Sequence, residues 1–566
     1  SSEVNQWSAI LNTSYRISPN HNISLLIMPN FTGVNSANAD SGFNKYAEIN
    51  YDFLSEFSYQ QYYEERKQII YQANSSHYFP AIKLRLELGA GYTDGESNTP
   101  DFKTLKYGKT AEGYAFRQYF FPTRNYRYLD ENILDTRISA ELPFNEKPGL
   151  ARIIKFGASY RNNNRENQQY SYEMRGHFGL ITAFENEQEL LDFLSPQKFD
   201  EYNQATQSVY HYYIPYFYPT DYSIGYSRVT SGFFMMDYTL IPRLRITGGL
   251  RVEYTDIYTD EGKLFNEGVP ANDPAREVEL PGFGRQIFAN PAFLDETNYL
   301  PSLNLVYKII NNNKVGINGR LSFSQSVGRP SIREISSYYD FNYDVSNWIL
   351  GNPDLKMVYI NNYDFRIESF FNNGDNVSLS LFYKEFENHI ELGNENNVFS
   401  WRNAPGTSEA VGVEIEGSKT FLKNFDVMGN VTFIDSKAVI NEVINGISRD
   451  TITRSMYGQS PFIINGILSY KSSRAGLSAA LSYNVQGPKL VFVTITQSQP
   501  DVYELPRHLL DFKISKSLGK HFSVELKIRD MLNSRVVWAY DDQGFKTEYE
   551  GYNFGTTYTF SVAYKL

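Results

Sequence analysis

The chain ends in Thr557-Tyr558-Thr559-Phe560-Ser561-Val562-Ala563-Tyr564-Lys565-Leu566, where Tyr558, Phe560, Val562, Tyr564 and Leu566 alternate with small or polar residues. A β-strand sends successive side chains to opposite faces, so one face here is apolar and aromatic and the other wet. The pattern recurs along the sequence. Ile82, Leu84, Leu86, Leu88, Ala90 and Tyr92 alternate with Lys83, Arg85, Glu87, Gly89 and Gly91. Leu244, Ile246, Gly248, Leu250, Val252 and Tyr254 alternate with Arg245, Thr247, Gly249, Arg251 and Glu253. Phe522, Val524, Leu526 and Ile528 alternate with Ser523, Glu525, Lys527 and Arg529. Runs of about ten residues suit a tilted crossing of a bilayer and are long for a soluble strand.

Composition agrees. The 566 residues include 45 Tyr and 40 Phe, no Cys, and 53 Lys+Arg against 64 Asp+Glu, for a net charge of −11. The acidic balance argues against nucleic-acid binding, and the missing cysteines exclude disulfides and thiolate sites. Mean hydropathy is −0.44, and no apolar run is long enough for a transmembrane helix. A membrane barrel has this composition, with one face to lipid, one to water and aromatic girdles between. A large soluble antiparallel β protein is the competing fold. Helical patterning is confined to one short surface helix at Phe184–Leu194, stopped by Pro196.

The connections fall into two classes. Short ones, rich in turn formers, are expected at Pro19–Asn22, Asn145–Gly149, Ile241–Arg243, Asn311–Asn313, Asn373–Asp375, Leu422–Asn424, Ser472–Arg474 and Leu518–Lys520, with a ninth at Asn74–His77. Between them run long polar connections near Thr93–Ile133, Asn162–Ser223, Asp256–Leu300, Gln325–Asn361, Asn388–Ala410, Ser436–Ser460, Val485–His508 and Asn533–Gly555. Strict alternation of short and long puts all short turns at one rim of an up-and-down barrel and all long loops at the other. Outer-membrane barrels have short periplasmic turns and long extracellular loops. Nine short turns join eighteen strands, and the last strand makes about nineteen. Such barrels have even strand numbers in bacteria, so an odd number of strands is expected upstream of Ser1: three for a 22-stranded barrel, one for 20.

Beyond alternation, the middle of the chain carries an ordered set of motifs. Arg329-Pro330-Ser331-Ile332-Arg333-Glu334 is followed by Gly351-Asn352-Pro353-Asp354-Leu355-Lys356. Asn362-Tyr363-Asp364-Phe365-Arg366-Ile367-Glu368, Phe382-Tyr383-Lys384 and Gly412-Val413-Glu414-Ile415-Glu416-Gly417 come next. This order resembles the barrel of TonB-dependent outer-membrane receptors. Gly458-Gln459-Ser460-Pro461, Leu505-Pro506-Arg507 and Asp530-Met531-Leu532-Asn533 also look like that family, whose barrels usually end in an aromatic residue where this chain has Leu566. The Asn- and Tyr-rich texture is similar to Bacteroidota members. The resemblance implies an all-β, 22-stranded transmembrane barrel in the outer membrane of a Gram-negative bacterium, with residues 1–566 starting partway into it. It implies a plug domain and the first strands upstream, contact with TonB through that plug, and no enzymatic activity. The motifs themselves read as architectural: Pro330 and Pro353 belong at strand ends, and Glu368, Glu414 and Glu416 fall in the wetted set.

No His-Glu-x-x-His, phosphate-binding loop or nucleophile motif is present. No catalytic, metal or cofactor site is expected. The acidic stretch Asp256–Glu279 lacks calcium-loop spacing and reads as a solvated loop, with divalent-cation binding at the cell surface as the alternative. Tyrosines crowd a second stretch, where Tyr210, Tyr212, Tyr213, Tyr216 and Tyr218 stand with Tyr202, Tyr222 and Tyr226. Aromatics can stack on flat chelates, sugars or proteins. These five tyrosines, with Trp348 and Trp401, are the candidate ligand- or partner-contact residues; packing of the loops against each other is the plainer reading.

Four functions compete. The first is TonB-dependent import of a scarce siderophore, haem, peptide or glycan. The second is a receptor-like barrel serving as scaffold in a larger outer-membrane complex with a surface lipoprotein. A passive channel is the third and a soluble glycan-binding protein or hydrolase the fourth, which strand length disfavours.

Overall fold

In the computed structural model, residues 2–42, 55–110, 113–116, 122–144, 150–176, 184–193, 195, 197, 211–216, 221–261, 269–279, 286–342, 347–395, 398–440, 443–444, 447–448, 452–494, 500–542 and 545–565 are described. They form one 23-stranded antiparallel sheet and smaller accessory sheets. The sheet reduces to nineteen wall strands when its first two strands are taken as one and the three short strands Gly113–Phe116, His211–Tyr216 and Ile452–Arg454 are set aside.

In chain order the wall is β1 (Ser2–Ser8 continued by Leu11–Ser18), β2 (His21–Gly42), β3 (Ser55–Phe79), β4 (Leu84–Thr110), β5 (Thr123–Pro143), β6 (Arg152–Gly176), β7 (Tyr222–Ile241), β8 (Leu244–Glu261), β9 (Ala292–Asn311) and β10 (Val315–Gly328). It continues as β11 (Val358–Phe371), β12 (Asn376–Glu387), β13 (Thr407–Phe421), β14 (Phe425–Ile440), β15 (Phe462–Ser472), β16 (Leu477–Gln486), β17 (Arg507–Leu518), β18 (Phe522–Arg529) and β19 (Thr557–Tyr564). Each strand pairs with the next, as an up-and-down meander requires. Among the described residues β1 pairs only with β2, and β19 only with β18.

Registers confirm the two-faced reading. On β11 to β13, Phe365, Leu381 and Val413 stand side by side, and Tyr363, Tyr383 and Val411 form the next row. Most are open to the surroundings because their neighbour is lipid. The opposite face is wet and cross-linked. Arg320 donates to Glu368 through Nε at 2.8 Å, Arg366 Nη1 reaches Ser380 Oγ at 3.0 Å, and Arg366 also pairs with Glu416. Asn430 Nδ2 donates to Glu414 at 3.0 Å, Asn465 to Asn430 at 2.9 Å and Asn484 to Asn465 at 2.6 Å. This belt crosses seven strands, β10 to β16, and places Glu368, Glu414 and Glu416 in the lumen.

Several expectations need correction. Asn74–His77 is not a turn. These residues sit mid-ladder between β2 and β4, with Asn74 opposite Ser24 and Gly89. The chain reverses at Pro80–Lys83 instead, so the following strand starts at Leu84 and leaves out Ile82. Pro80 cannot donate a ladder hydrogen bond, Lys83 N–H returns to the Pro80 carbonyl, and Lys83 adopts φ 54°. Polar Asn74 and Ser76 mimic a turn because they line the lumen. The first strand begins at Ser2 and is interrupted at Ala9–Ile10. Asn145–Gly149 lies outside the described residues.

The largest correction concerns length. β2 to β9 run to 27 residues, far past the nine to eleven needed to span a bilayer. A 25-residue strand such as β3 is roughly 80 Å long at 3.3 Å per residue. Most of the first long connection, Thr93–Ile133, and the flanks of the next two are therefore tall hairpin, not loop. The predicted helix is α1 (Glu187–Phe193). Its Leu190 is fully buried against the aromatic side chains of Phe57, Tyr59 and Tyr107, and Glu187 accepts hydrogen bonds from both Tyr59, at 3.0 Å, and Tyr107.

Candidate ligand-binding mouth

At the C-terminal half the long connections fold together. Eight short strands from four of them form one sheet, in the order Tyr339–Asn342, Asn347–Leu350, Val398–Asn403, Ile390–Glu395, Lys489–Thr494, Val502–Glu504, Arg535–Asp542 and Phe545–Asn553. Separate connections meet through parallel pairings, Ile349–Leu350 beside Phe399–Ser400 and Gly393–Asn394 beside Val493–Thr494. Ile349, Leu392, Phe399, Phe492, Val502, Val536 and Trp538 make its buried core. These connections, polar loop by sequence, build a folded cap over the mouth. The short continuous apolar runs Leu490–Val493 and Val536–Tyr540, inside otherwise polar connections, were the available signal.

A tether fastens the cap to the tall wall. It is the Arg-Pro motif. Arg329 donates from Nε to Thr255 Oγ1 at 2.9 Å and pairs with Glu253. Ser331 and Glu334 form a capping box that starts the single turn α2 (Ile332–Ile335). Ile332 presses on Gly225, where a Cβ would lie 2.7 Å from its Cγ2, so only glycine fits. Ser337 Oγ donates to the Asn290 carbonyl at 3.1 Å, and Tyr338 Oη to Gln169 at 2.9 Å, which in turn donates to Asp221 at 2.7 Å. The tether thus crosses β9, β8 and β7 to reach β6. Arg333 then ties Tyr338 and Ile349 by their carbonyls, at 2.9 and 2.7 Å. The Gly-Asn-Pro-x-Leu motif closes the segment. A Cβ on Gly351 would lie 1.9 Å from the Ser336 carbonyl, Asn352 donates to the Trp401 carbonyl at 2.9 Å, and Leu355 packs with Ile257 and Ile335.

Glu261 lies under this tether, fully buried, with no hydrogen bond to either carboxyl oxygen. Burial, with Asp260 adding to it, pushes its pKa up to about 8, and Arg333 opposes the shift. The acid is therefore mostly protonated at neutral pH. The acidic stretch disperses: Asp260 pairs with Arg276 at 3.1 Å and Asp273 caps a short turn. Among the described residues no group of three acidic or histidine side chains could hold a metal.

The candidate contact residues separate. Tyr210 and Tyr218 lie outside the described residues. Tyr212, Tyr213 and Tyr216 fall on the strand His211–Tyr216, which extends β6. Tyr213 is 40% exposed. Burial of the remainder pushes its phenol pKa up. Arg124, which Tyr213 neighbours, pairs with Asp101 at 2.6 Å; against the burial that would raise it, Arg124 and Lys103 hold that carboxyl low. Trp348 is on a cap strand. Trp401 packs between the cap core and the cluster beneath it, edge-on to Tyr457 at 6.4 Å. Sequence reading missed one histidine pair. Registry brings His21 and His77 together, Nδ1 to Nδ1 at 3.0 Å beside Phe79, on the lipid-side face near the short-turn rim.

The sequence matches the family described as TonB dependent receptor-like, beta-barrel, over residues 14–531. No curated protein matches it. Among solved structures it is similar to the siderophore receptor PiuA from Acinetobacter baumannii, with TM-score 0.60 and 11% identity over 100% of this chain and 80% of that one. It is similar to the ferric-catecholate import receptor Fiu from E. coli K12, with TM-score 0.58 and 11% identity over 100% and 81%. The ferric yersiniabactin uptake receptor FyuA from Yersinia pestis gives TM-score 0.55 and 10% identity over 100% and 79%. Those identities speak for fold. The family match, the two-faced wall and the segregated connections together place this chain in the TonB-dependent receptor-like β-barrel family of the outer membrane, a family of receptors and transporters.

Proposed function

We propose that the chain is the wall and capture mouth of an outer-membrane importer for a metal chelate of the siderophore class. The observation that carries this is the mouth itself. A folded cap is fastened by a buried tether to the tall wall, and the inner face of the sheet is belted by hydrogen-bonded charges. Such a surface is preorganised for a bulky, polar ligand. The siderophore class comes from the fold neighbours named above. Tyr210, Tyr212, Tyr213, Tyr216, Tyr218 and Trp348 would stack on the chelate, with Trp401 holding the cap in place. Coupling to TonB would run through a plug domain, and the edges of β1 and β19 that pair with no strand among the described residues suit further strands between them.

The test is uptake of ⁵⁵Fe-labelled catecholate and hydroxamate siderophores by cells carrying or lacking the full-length gene. Uptake restored by the gene and abolished by an uncoupler supports the proposal. Uncoupler-resistant diffusion of small sugars instead would indicate a passive channel. Uptake of another cargo class would retain import and refute the siderophore assignment.

A second reading is contact with a surface lipoprotein. It draws on Tyr126, Tyr128, Tyr170 and Tyr172, which share the register face of Leu134 and Ile138 but stand higher on the wall. Copurification after mild detergent extraction, lost on replacing these tyrosines, would test it.

A further inference from the structure

At the short-turn rim, the periplasmic end of an outer-membrane barrel, lies a contact that the import reading does not use. His21 opens β2, and His77 stands directly opposite it near the end of β3. His21 has the parity of Ile23, Leu25 and Ile27, all exposed, so the pair is on the lipid-side face. The ring centroids are 5.2 Å apart, Nδ1 meets Nδ1 at 3.0 Å, and Phe79 stands edge-on to His21 at 5.5 Å. Both histidines are half-buried, so water at the rim can reach them. Among the described residues neither imidazole has another hydrogen-bond or ion-pair partner. Their row continues to Ser18 on β1 and Leu86 on β4, so no cationic side chain stands next to them in it.

A neutral imidazole carries one N–H and one in-plane lone pair. Two Nδ1 atoms this close share one proton, which needs opposite tautomers on the two rings, or turn both lone pairs on one metal ion. In the second case the donor ring moves its proton to Nε2, and no proton is lost from the pair. The spacing selects the ion. Imidazole nitrogen binds transition metals at about 2.0–2.1 Å, so two nitrogens 3.0 Å apart subtend roughly 95° at a shared ion. That is the cis angle of a square-planar or tetragonal site, the geometry of copper(II) and nickel(II), and it is narrower than the tetrahedral angle zinc takes. The bite is set by the backbone. The β2–β3 ladder runs in register from His21 to Gly42 and holds the two side chains on adjacent strands, so binding needs a shift of tautomer and small ring rotations but no movement of strands.

We propose that His21 and His77 form a binding site for a divalent transition metal of tetragonal preference, copper(II) ahead of nickel(II) in the usual order of affinities, with water in the remaining positions. The ion would clip β2 to β3 at the periplasmic rim, whatever the cargo.

The experiment uses the full-length protein without a histidine tag, stripped of metal and held in detergent, with copper(II) as the probe. One equivalent should bind with a tetragonal electron paramagnetic resonance spectrum that carries two nitrogen couplings. Losing one of two linked ligands should weaken binding by about a hundredfold or more. His21→Gln and His77→Gln should therefore each remove that species, and the double variant should lose no more than either. Heat-modifiable migration shows that each variant is folded. A copper spectrum unchanged in both variants places the metal elsewhere and overturns the proposal. Loss in one variant alone also overturns it, since a chelate needs both rings. So does a wild type that binds no more copper than the double variant, which would mean that the two rings only share a proton.

Discussion

The two halves of the wall solve one problem differently. β2 to β9 rise far above the membrane as continuous paired strands, 18 to 27 residues long. β10 to β19 stop at 8 to 16 residues, and their connections fold into a separate capped layer with its own core. In the first half the extracellular structure is carried by backbone ladders inherited from the barrel. In the second it depends on apolar side chains drawn from four connections far apart in sequence. Height made by extension is stabilised locally, whereas height made by assembly stands or falls with its core.

The sharpest way to break this contrast is Trp538→Ala. Trp538 is buried and edge-on to Phe492 at 5.3 Å, and removing a buried aromatic costs about 3–5 kcal/mol. Hydrogen exchange should accelerate across all four cap connections while β3 to β6 keep their protection. Equal loss in both halves would show that they are one cooperative unit.

A second test asks where the tall wall leaves the lipid. Ile138 and Tyr128 lie ten residues apart on one strand and on one face. Ile138→Arg should hinder assembly, since a charge at midplane costs about 2–4 kcal/mol, and Tyr128→Arg should assemble normally. Heat-modifiable migration of the folded barrel reads both. Similar defects would mean that the lipid band is taller than the strand pattern implies. On the last strand the same logic makes Phe560→Arg harmful and Thr559→Arg tolerated.

The tether that joins the halves should respond to pH. Glu261 has its pKa raised from the carboxylate range to about 8. Its contribution is full below the unfolded value near 4.5 and declines as pH rises towards 8. Tether docking should therefore weaken between pH 5 and 9, by on the order of 2 kcal/mol, and Glu261→Gln should flatten that dependence. Proteolysis near the tether across this range measures it. An unchanged profile in the variant would remove Glu261 as the cause.

The smallest effect is at the turn that was misplaced. Lys83 holds φ 54°, a conformation glycine adopts without strain. Lys83→Gly should raise stability slightly, by about 0.5–1 kcal/mol, whereas Ser75→Gly, mid-strand, should lower it. Melting temperatures distinguish the two.

Much of this was legible one strand at a time. Period-two alternation is a local property, so lipid and lumen faces, the nineteen-strand wall and seven of the short reversals follow from neighbouring residues. The Arg-Pro and Gly-Asn-Pro motifs could be read as architectural because proline and glycine restrict the backbone wherever they stand. Strand height could not be read, since polar residues such as Asn162 and Asn164 suit an exposed strand as well as a loop, and only pairing with Arg228 and Tyr226 decides. The cap, the tether across β9 to β6 and the His21–His77 contact belong to the tertiary structure. Each joins residues whose meeting depends on register or on contacts between separate connections, and neither leaves a periodic mark in the chain.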